Sequence, residues 1–532
     1  MSEDRDESES SESNDDWNQD EVNWDEAFDD VLITEDNWTS DIQKPPATFR
    51  EQLAAWAVQP GVLHVHVNGL LEILRTHPCN SDLPTDVRTL LKTPRKVQLT
   101  KMHPEEYFHF GILAGLEQVF SLIVFPPHTF FLEIAINIDG LPIFSKSTGK
   151  QLWVILAVVR NLNSLKKIPF IIGIYFGLEK PVGGPNTFLR AFVTELKYLI
   201  ANGFTLNGFQ FQISKVIFIC DSPARAFISG VKYHSGFSSC GRCVTIGETA
   251  ISASEVRRLV SPRGRRVFPC TSALLRTNES FRLRHDPDHH NYYSIIEEIE
   301  LVDMVLDFPS DSMHLVDEGA GKKLFMTLLE DSDYKISPIN VRRVNEAMTS
   351  LSDFTPRDFA RRSRSFCSKF KATEWSQALK YTSPVVFRNR LSPERYAHLL
   401  TLHVAIKILS SNRFCYRLNA YAKNLLEVFV KNTAILYGKT FITYNIHNLI
   451  HLADNVMLFG PLHTFSAYIF ENELGKIKRL LRKSEKPLQQ IVKRLAELER
   501  NAEHEVTRER EVRLRVENKK GPLLTLFPVS TV

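Results

Sequence analysis

Apolar runs of strand length and apolar stripes of helical spacing alternate through the middle of the chain. Val216, Ile217, Phe218, Ile219 and Cys220 form a continuous apolar run closed by Asp221, Ser222 and Pro223, the pattern of a central strand buried on both faces. The strand is predicted to end at Asp221, with Ser222 capping the helix that follows and Pro223 in its first turn. Asp221 is then free for other work just past the carboxyl end of a buried strand, where open α/β sheets place their sites. A helix-start acid favoured by the macrodipole is the plainer reading of the same position. Upstream, FFLEIAINID runs from Phe130 to Asp139 with partial alternation, and Leu152 to Val159 and Phe170 to Leu178 are two more strand-like runs. Between the third and fourth runs, Phe188, Phe192, Leu196 and Leu199 recur at helical spacing within Asn186 to Ala201.

Three strands, a helix and a strand, with an acid ending the first and fourth strands, is the order of a ribonuclease-H-like fold. In that fold the first and fourth strands are neighbours, so Asp139 and Asp221 are expected to converge on one metal site. The predicted class is therefore α/β: a ribonuclease-H-like mixed sheet interrupted by a large, mainly helical insertion. Residues 1–45 are too poor in apolar residues to fold and read as a disordered acidic tail, in which Trp17, Trp24, Phe28, Trp38 and the run Val31-Leu32-Ile33 could meet a partner. Residues 46–125 read as a helical region that fits either a helix-turn-helix or three short packed helices with no DNA role. The core occupies 126–235 and 440–485, the insertion with a CxxC occupies 236–439, and 486–532 form a helical, charged tail.

Composition narrows the class. The 532 residues are 43% hydrophobic, ordinary for a globular protein, and the longest apolar runs are broken by Pro126, Pro127, His128 and Glu133 or are too short to span a bilayer. No membrane segment and no secretory signal is expected, and seven scattered cysteines predict a reducing intracellular compartment. The net charge of +3 hides an asymmetry: residues 1–41 hold seventeen acids and one Arg, leaving 64 Lys and Arg against 45 Asp and Glu elsewhere. A body so basic is the footprint of a protein that meets a phosphate backbone. Lys476, Lys478, Arg479, Arg482 and Lys483, beside a pair of acids in FENELGKIKRLLRK, are the candidate phosphate contacts. Glu471 and Glu473 both flank the apolar stripe Phe470, Leu474, Ile477 and Leu481, and periodicity does not choose between them.

The segments NIDGLPIFSKSTGKQLWVILAVV, ICDSPARAF, HSGFSSCGRC, DSMHLV, FKATEWSQALKYTSPVVF, YNIHNLIHLADNV and FENELGKIKRLLRK occur in this order. Together they resemble the transposase domain of CACTA-type (En/Spm-like) DNA transposons over about Phe49 to Leu495. The resemblance implies a DDE polynucleotidyl transferase acting on double-stranded DNA at transposon ends and target sites, in the nucleus, as a homodimer or higher oligomer. It maps the three acids to Asp139, Asp221 and Glu471, which would hold two Mg²⁺ or Mn²⁺ ions. The CxxC with a paired His motif is similar to Transib transposases and the related antigen-receptor recombinase, where such residues bind zinc. Here they are Cys240, Cys243, His447 and His451, four ligands suited to a closed structural site, with His234, Cys270, His289 and His290 as alternatives. No amino-terminal zinc finger for end recognition is visible. A catalytically silent, domesticated DNA-binding derivative and an unrelated ribonuclease-H-like nuclease are the competing functions.

Overall fold

The computed structural model describes residues 48–59, 61–102, 105–121, 130–144, 149–162, 165–251 and 264–501. The acidic segment with its tryptophans and the Val31-Leu32-Ile33 run lies outside these residues, as does most of the basic stretch from Arg257 to Arg266. The described residues fall into two compact units, one of residues 48–95 with 493–501, the other within residues 96–492.

In the smaller unit Thr48 opens the helix Phe49–Ala57 with a capping box, donating its N–H to Glu51 Oε2 at 2.8 Å and accepting from Glu51 N–H at 3.3 Å. Leu53, Ala54 and Ala57 pack with Val67 and Leu71 of His64–Arg75 and with Val87 and Leu90 of Val87–Leu90. Residues near the end of the described chain return to this core. Asn501 Nδ2 donates to the Leu91 carbonyl at 2.9 Å and the Thr93 hydroxyl donates to Glu497.

The larger unit is a mixed α/β structure on a seven-stranded sheet. Its strands are β1 (Thr100–Met102), β2 (Glu105–His109), β3 (Phe130–Pro142), β4 (Lys150–Val159), β5 (Phe170–Leu178), β6 (Phe204–Leu206) and β7 (Phe209–Phe218), in the spatial order β1-β2-β5-β4-β3-β7-β6. Only β3 and β7 pair in parallel; the other neighbours are antiparallel. β4 is buried on both faces from Leu152 to Val159, which is why its sequence shows no alternation. The helix Gly184–Asn202 lays Phe188, Phe192, Leu196 and Leu199 on the sheet, where Phe192 meets Phe218 edge to face at 6.5 Å.

Three features differ from the sequence reading. Residues 46–125 are not helical throughout: β1 and β2 join the sheet beside β5, and three- and five-residue strands are too short to display a period. β7 starts at Phe209, seven residues ahead of the apolar run, because its first half is an edge hairpin partner that alternates. The turn between β6 and β7 is Asn207-Gly208 with φ of 51° and 82°, the positive pair a two-residue hairpin loop requires. The region after Val231 is also less helical than expected at first. Among its described residues up to Ser312, the helical pieces are five residues or shorter, beside a ribbon of Glu248–Ala250 with Arg265–Val267. Long helices begin at Met313 and surround an aromatic nucleus of Phe325, Phe366, Trp375 and Phe387. Among the described residues no helix is long and apolar enough to cross a membrane.

Candidate active site and metal centre

The parallel pair β3 and β7 sets the first group of side chains. Ile136 stands opposite Phe218, and beyond that pair the chain still follows β3: Ile219 N–H donates to the Ile136 carbonyl at 2.8 Å, and Asn137 Nδ2 donates to the Ile219 carbonyl at 2.8 Å. Continuing this register by three residues brings Asp139 abreast of Asp221. Asp221, not Ser222, is the N-cap of the helix Ser222–Ser229, its Oδ1 accepting from Ala224 N–H at 2.7 Å. Asp caps as well as Ser does, and with Pro223 at the second helical position Ala224 supplies the first amide in reach of a cap. The cap therefore occupies one oxygen of Asp221, and the acid is not wholly free as the sequence suggested.

The third acid arrives on the helix Tyr468–Arg479, where the charge of Glu471 acts on Asp139. Glu473 is instead paired with Lys476 Nζ at 3.1 Å. Geometry thus separates two glutamates that periodicity left equivalent. Burial, followed by the charges of Asp221 and Glu471, holds the Asp139 carboxyl well above its ordinary range. Burial also raises Asp221 and Glu471, while the neighbouring His314 pulls both back. Carboxyls gathered this way share a proton or need a cation.

His314 and Asp311, within the motif DSMH, were not assigned a role from the sequence. His314 Nδ1 donates to Asp311 Oδ2 at 2.5 Å, and Nε2 lies 3.9 Å from Glu471 Oε1. Burial alone would lower the imidazole pKa, but the hydrogen bond and charge of Asp311, with Asp221 and Glu471, raise it well above the ordinary histidine value. The available signal was an Asp three residues before a His at the start of a helical run. That run, Met313–Gly321, is wound as a π-helix, a conformation found often at functional sites.

The second group is Cys240, Cys243, His447 and His451, all buried. Among the described residues it is the one set of three or more His, Cys, Asp or Glu side chains whose ligand atoms all lie within 4.8 Å of one another. The two sulfurs are 3.6 Å apart, Cys240 Sγ is 3.6 Å from His451 Nε2, and Cys243 Sγ is 3.3 Å from His447 Nε2. A tetrahedral zinc with ordinary bond lengths has S–S edges of about 3.8 Å and S–N edges of about 3.6 Å. The group could hold a metal such as zinc. Without one, its hydrogen bond to Cys240 and then burial push the Cys243 thiol up, because two buried thiols this close resist a second negative charge. Gly241 lets the CxxC approach the buried Arg225: a Cβ there would lie 2.3 Å from Arg225 Nη2.

The alternative ligands stand apart from this group. His289 Nδ1 is bonded to the Ser238 carbonyl at 2.6 Å, His290 packs on Phe281, Cys270 is exposed, and the His234 ring lies 6.5 Å from that of Tyr444. Of the candidate phosphate contacts, Lys476, Arg479, Arg482 and Lys483 are exposed and Lys478 is half-buried. No protein-family model matches the chain, and no curated protein matches it either.

Proposed function

We propose that this chain is a DDE-type DNA transposase of the CACTA kind, catalysing metal-dependent phosphodiester hydrolysis and strand transfer on a ribonuclease-H-like core. The observation that carries the reading is the β3–β7 register that brings Asp139 abreast of Asp221, with the charges of Asp221 and Glu471 both acting on Asp139. Three oxygen-donor side chains, raised by burial and with Asp139 raised further by the charges of the other two, fit a hard divalent cation. Asp139, Asp221 and Glu471 would hold Mg²⁺ or Mn²⁺, which supplies an activated oxygen nucleophile and stabilises the leaving oxygen. The protein's own part is positional. The β3–β7 register orients two acids, the cap bond fixes the Asp221 carboxylate, and the Tyr468 hydroxyl, one turn before Glu471, donates to Asp317 at 2.9 Å and anchors that helix. Water serves as nucleophile in cleavage and a 3′-hydroxyl in joining. Zinc in the Cys240, Cys243, His447 and His451 group is structural, tying chain segments more than two hundred residues apart. Double-stranded DNA is the partner, the assembly a dimer or larger oligomer, and the compartment the nucleus.

The test is cleavage of supercoiled plasmid and of candidate end duplexes in Mg²⁺ or Mn²⁺. Wild-type protein is expected to nick and join, Asp139→Asn, Asp221→Asn and Glu471→Gln to abolish both while DNA binding persists, and Glu473→Gln to remain active. Wild-type cutting no greater than that of the triple variant replaces this reading with the silent, domesticated DNA-binding derivative.

A further inference from the structure

A cavity of about 250 Å³ opens beside the Cys240–Cys243 loop, walled by Leu275, Leu306, Met457 and Leu458 with Arg242 and Arg276 set deeper. Leu275, Met457 and Leu458 are each more than half exposed, whereas the two arginines are 5% and 6% exposed. Apolar side chains gathered on one surface in this way mark an interaction site, where single scattered ones would not. The two arginines differ in what holds them. Arg276 donates from Nε to the Cys240 carbonyl at 3.0 Å and from Nη2 to Ser238 Oγ at 3.1 Å and Asp286 Oδ2 at 2.6 Å, so its charge is matched. Arg242 donates from Nη1 to the Val305 carbonyl at 3.0 Å, and among the described residues its Nε and Nη2 have no hydrogen-bond partner. Asp454, the acid in the cavity wall, pairs instead with Lys423 Nζ at 2.7 Å. A guanidinium withdrawn from water with most of its donors unspent calls for an oxygen acceptor. An acceptor that enters between leucines must be joined to an apolar body, which a phosphate backbone is not.

The chain carries such a ligand in its own sequence. Residues 17–38 hold eight acids and no Lys or Arg, and two aromatics among them are each followed by two acids, Trp24-Asp25-Glu26 and Phe28-Asp29-Asp30. We propose that this acidic segment docks in the cavity, with the Trp24 ring among Leu275, Leu306, Met457 and Leu458 and the Asp25 carboxylate accepting from Arg242. An aromatic anchor in an apolar seat supplies the contact area, and the buried cation beneath it selects an aromatic that is followed by an acid. The docking does not depend on the catalytic reading, so it is tested without DNA.

The experiment uses the full chain with p-benzoylphenylalanine in place of Trp24, as a mixture of isotope-labelled and unlabelled protein, irradiated and mapped by mass spectrometry. Cross-links are expected within one chain, to Leu275, Leu306, Met457 or Leu458. Leu458→Glu sets a carboxylate in the seat from an exposed position and should lower that yield about tenfold. Met457→Glu, equally exposed, should do the same and decides the matter should Leu458→Glu melt below the irradiation temperature. Asp25→Asn combined with Glu26→Gln should also lower the yield, because Arg242 then loses its charged acceptor. An undiminished yield in the two wall variants, or in the neutralised segment, would overturn the proposal. Links spread along the chain, or gathered on residues 476–483, would show a segment held by charge alone and overturn it too. Links found only between labelled and unlabelled chains would make a second copy the occupant, with the same result.

Discussion

Removing one sulfur should empty the whole Cys240, Cys243, His447 and His451 group, because a closed four-donor shell binds zinc through all its ligands at once. Purified wild-type protein is expected to carry about one zinc per chain and Cys243→Ser less than about half, with a melting midpoint lower by on the order of 10 °C. Equal zinc in both proteins would remove the assignment. Residues of this kind carry their chemistry in their type, which is why Cys240 and Cys243 could be picked from the chain. Glu471 could not be told from Glu473 in that way, since both flank the same apolar stripe and only one comes to Asp139. Asp221 shows the same limit: its role as a cap depends on which amide lies within 2.7 Å of it.

Elements transmit such choices through their packing, and the helices Pro393–Ser410 and Asn419–Tyr437 supply a pH-sensitive case. His398, 4% exposed, stacks on Phe429 with ring centroids 4.1 Å apart, and its Nε2 lies 2.9 Å from the Phe429 carbonyl. Burial lowers its pKa to about 4. The folded value lies below the ordinary 6.5, so the unfolded chain takes up a proton that the folded one refuses. The contribution is complete above pH 6.5 and is lost as pH falls from there towards 4. Between pH 7 and pH 5 the wild-type protein is expected to lose about 2 kcal/mol through this one side chain. His289, lowered to about 3, and His290, lowered to about 4, act in the same sense. Denaturant unfolding of His398→Leu at the two pH values should show a smaller loss by that amount, and an undiminished loss would exclude His398 as the source. The buried histidine was invisible in the sequence because its helix shows no polar face at that position until its neighbour is in place.

Across the whole molecule, charge is the property that needs no coordinates. With 64 basic against 45 acidic residues outside the first 41, DNA binding should weaken steeply with salt. Replacing the exposed Arg479, Arg482 and Lys483 by Gln should reduce the salt slope by about one per lost phosphate contact. Deleting residues 1–41 should tighten binding to non-specific duplex if that acidic stretch competes for the basic surface; unchanged or weaker binding, measured by titration at fixed salt, would exclude the competition.

Local pattern in the sequence determined the α/β class, the runs that became β3, β4, β5 and the end of β7, the main sheet-covering helix, and the residue types of both candidate sites. These are properties of contiguous stretches, set by which side chains must leave water together. Tertiary structure alone decided that β1 and β2 extend the sheet, that residues 493–501 belong with the N-terminal helices, that Asp139 meets Asp221 and Glu471, and that Asp311 aims His314 at them. Each of these joins positions far apart in the chain, or chooses one of two locally equivalent side chains. Such choices are settled by packing and register, in which every contact depends on the positions of many others, and no periodicity along the chain encodes them.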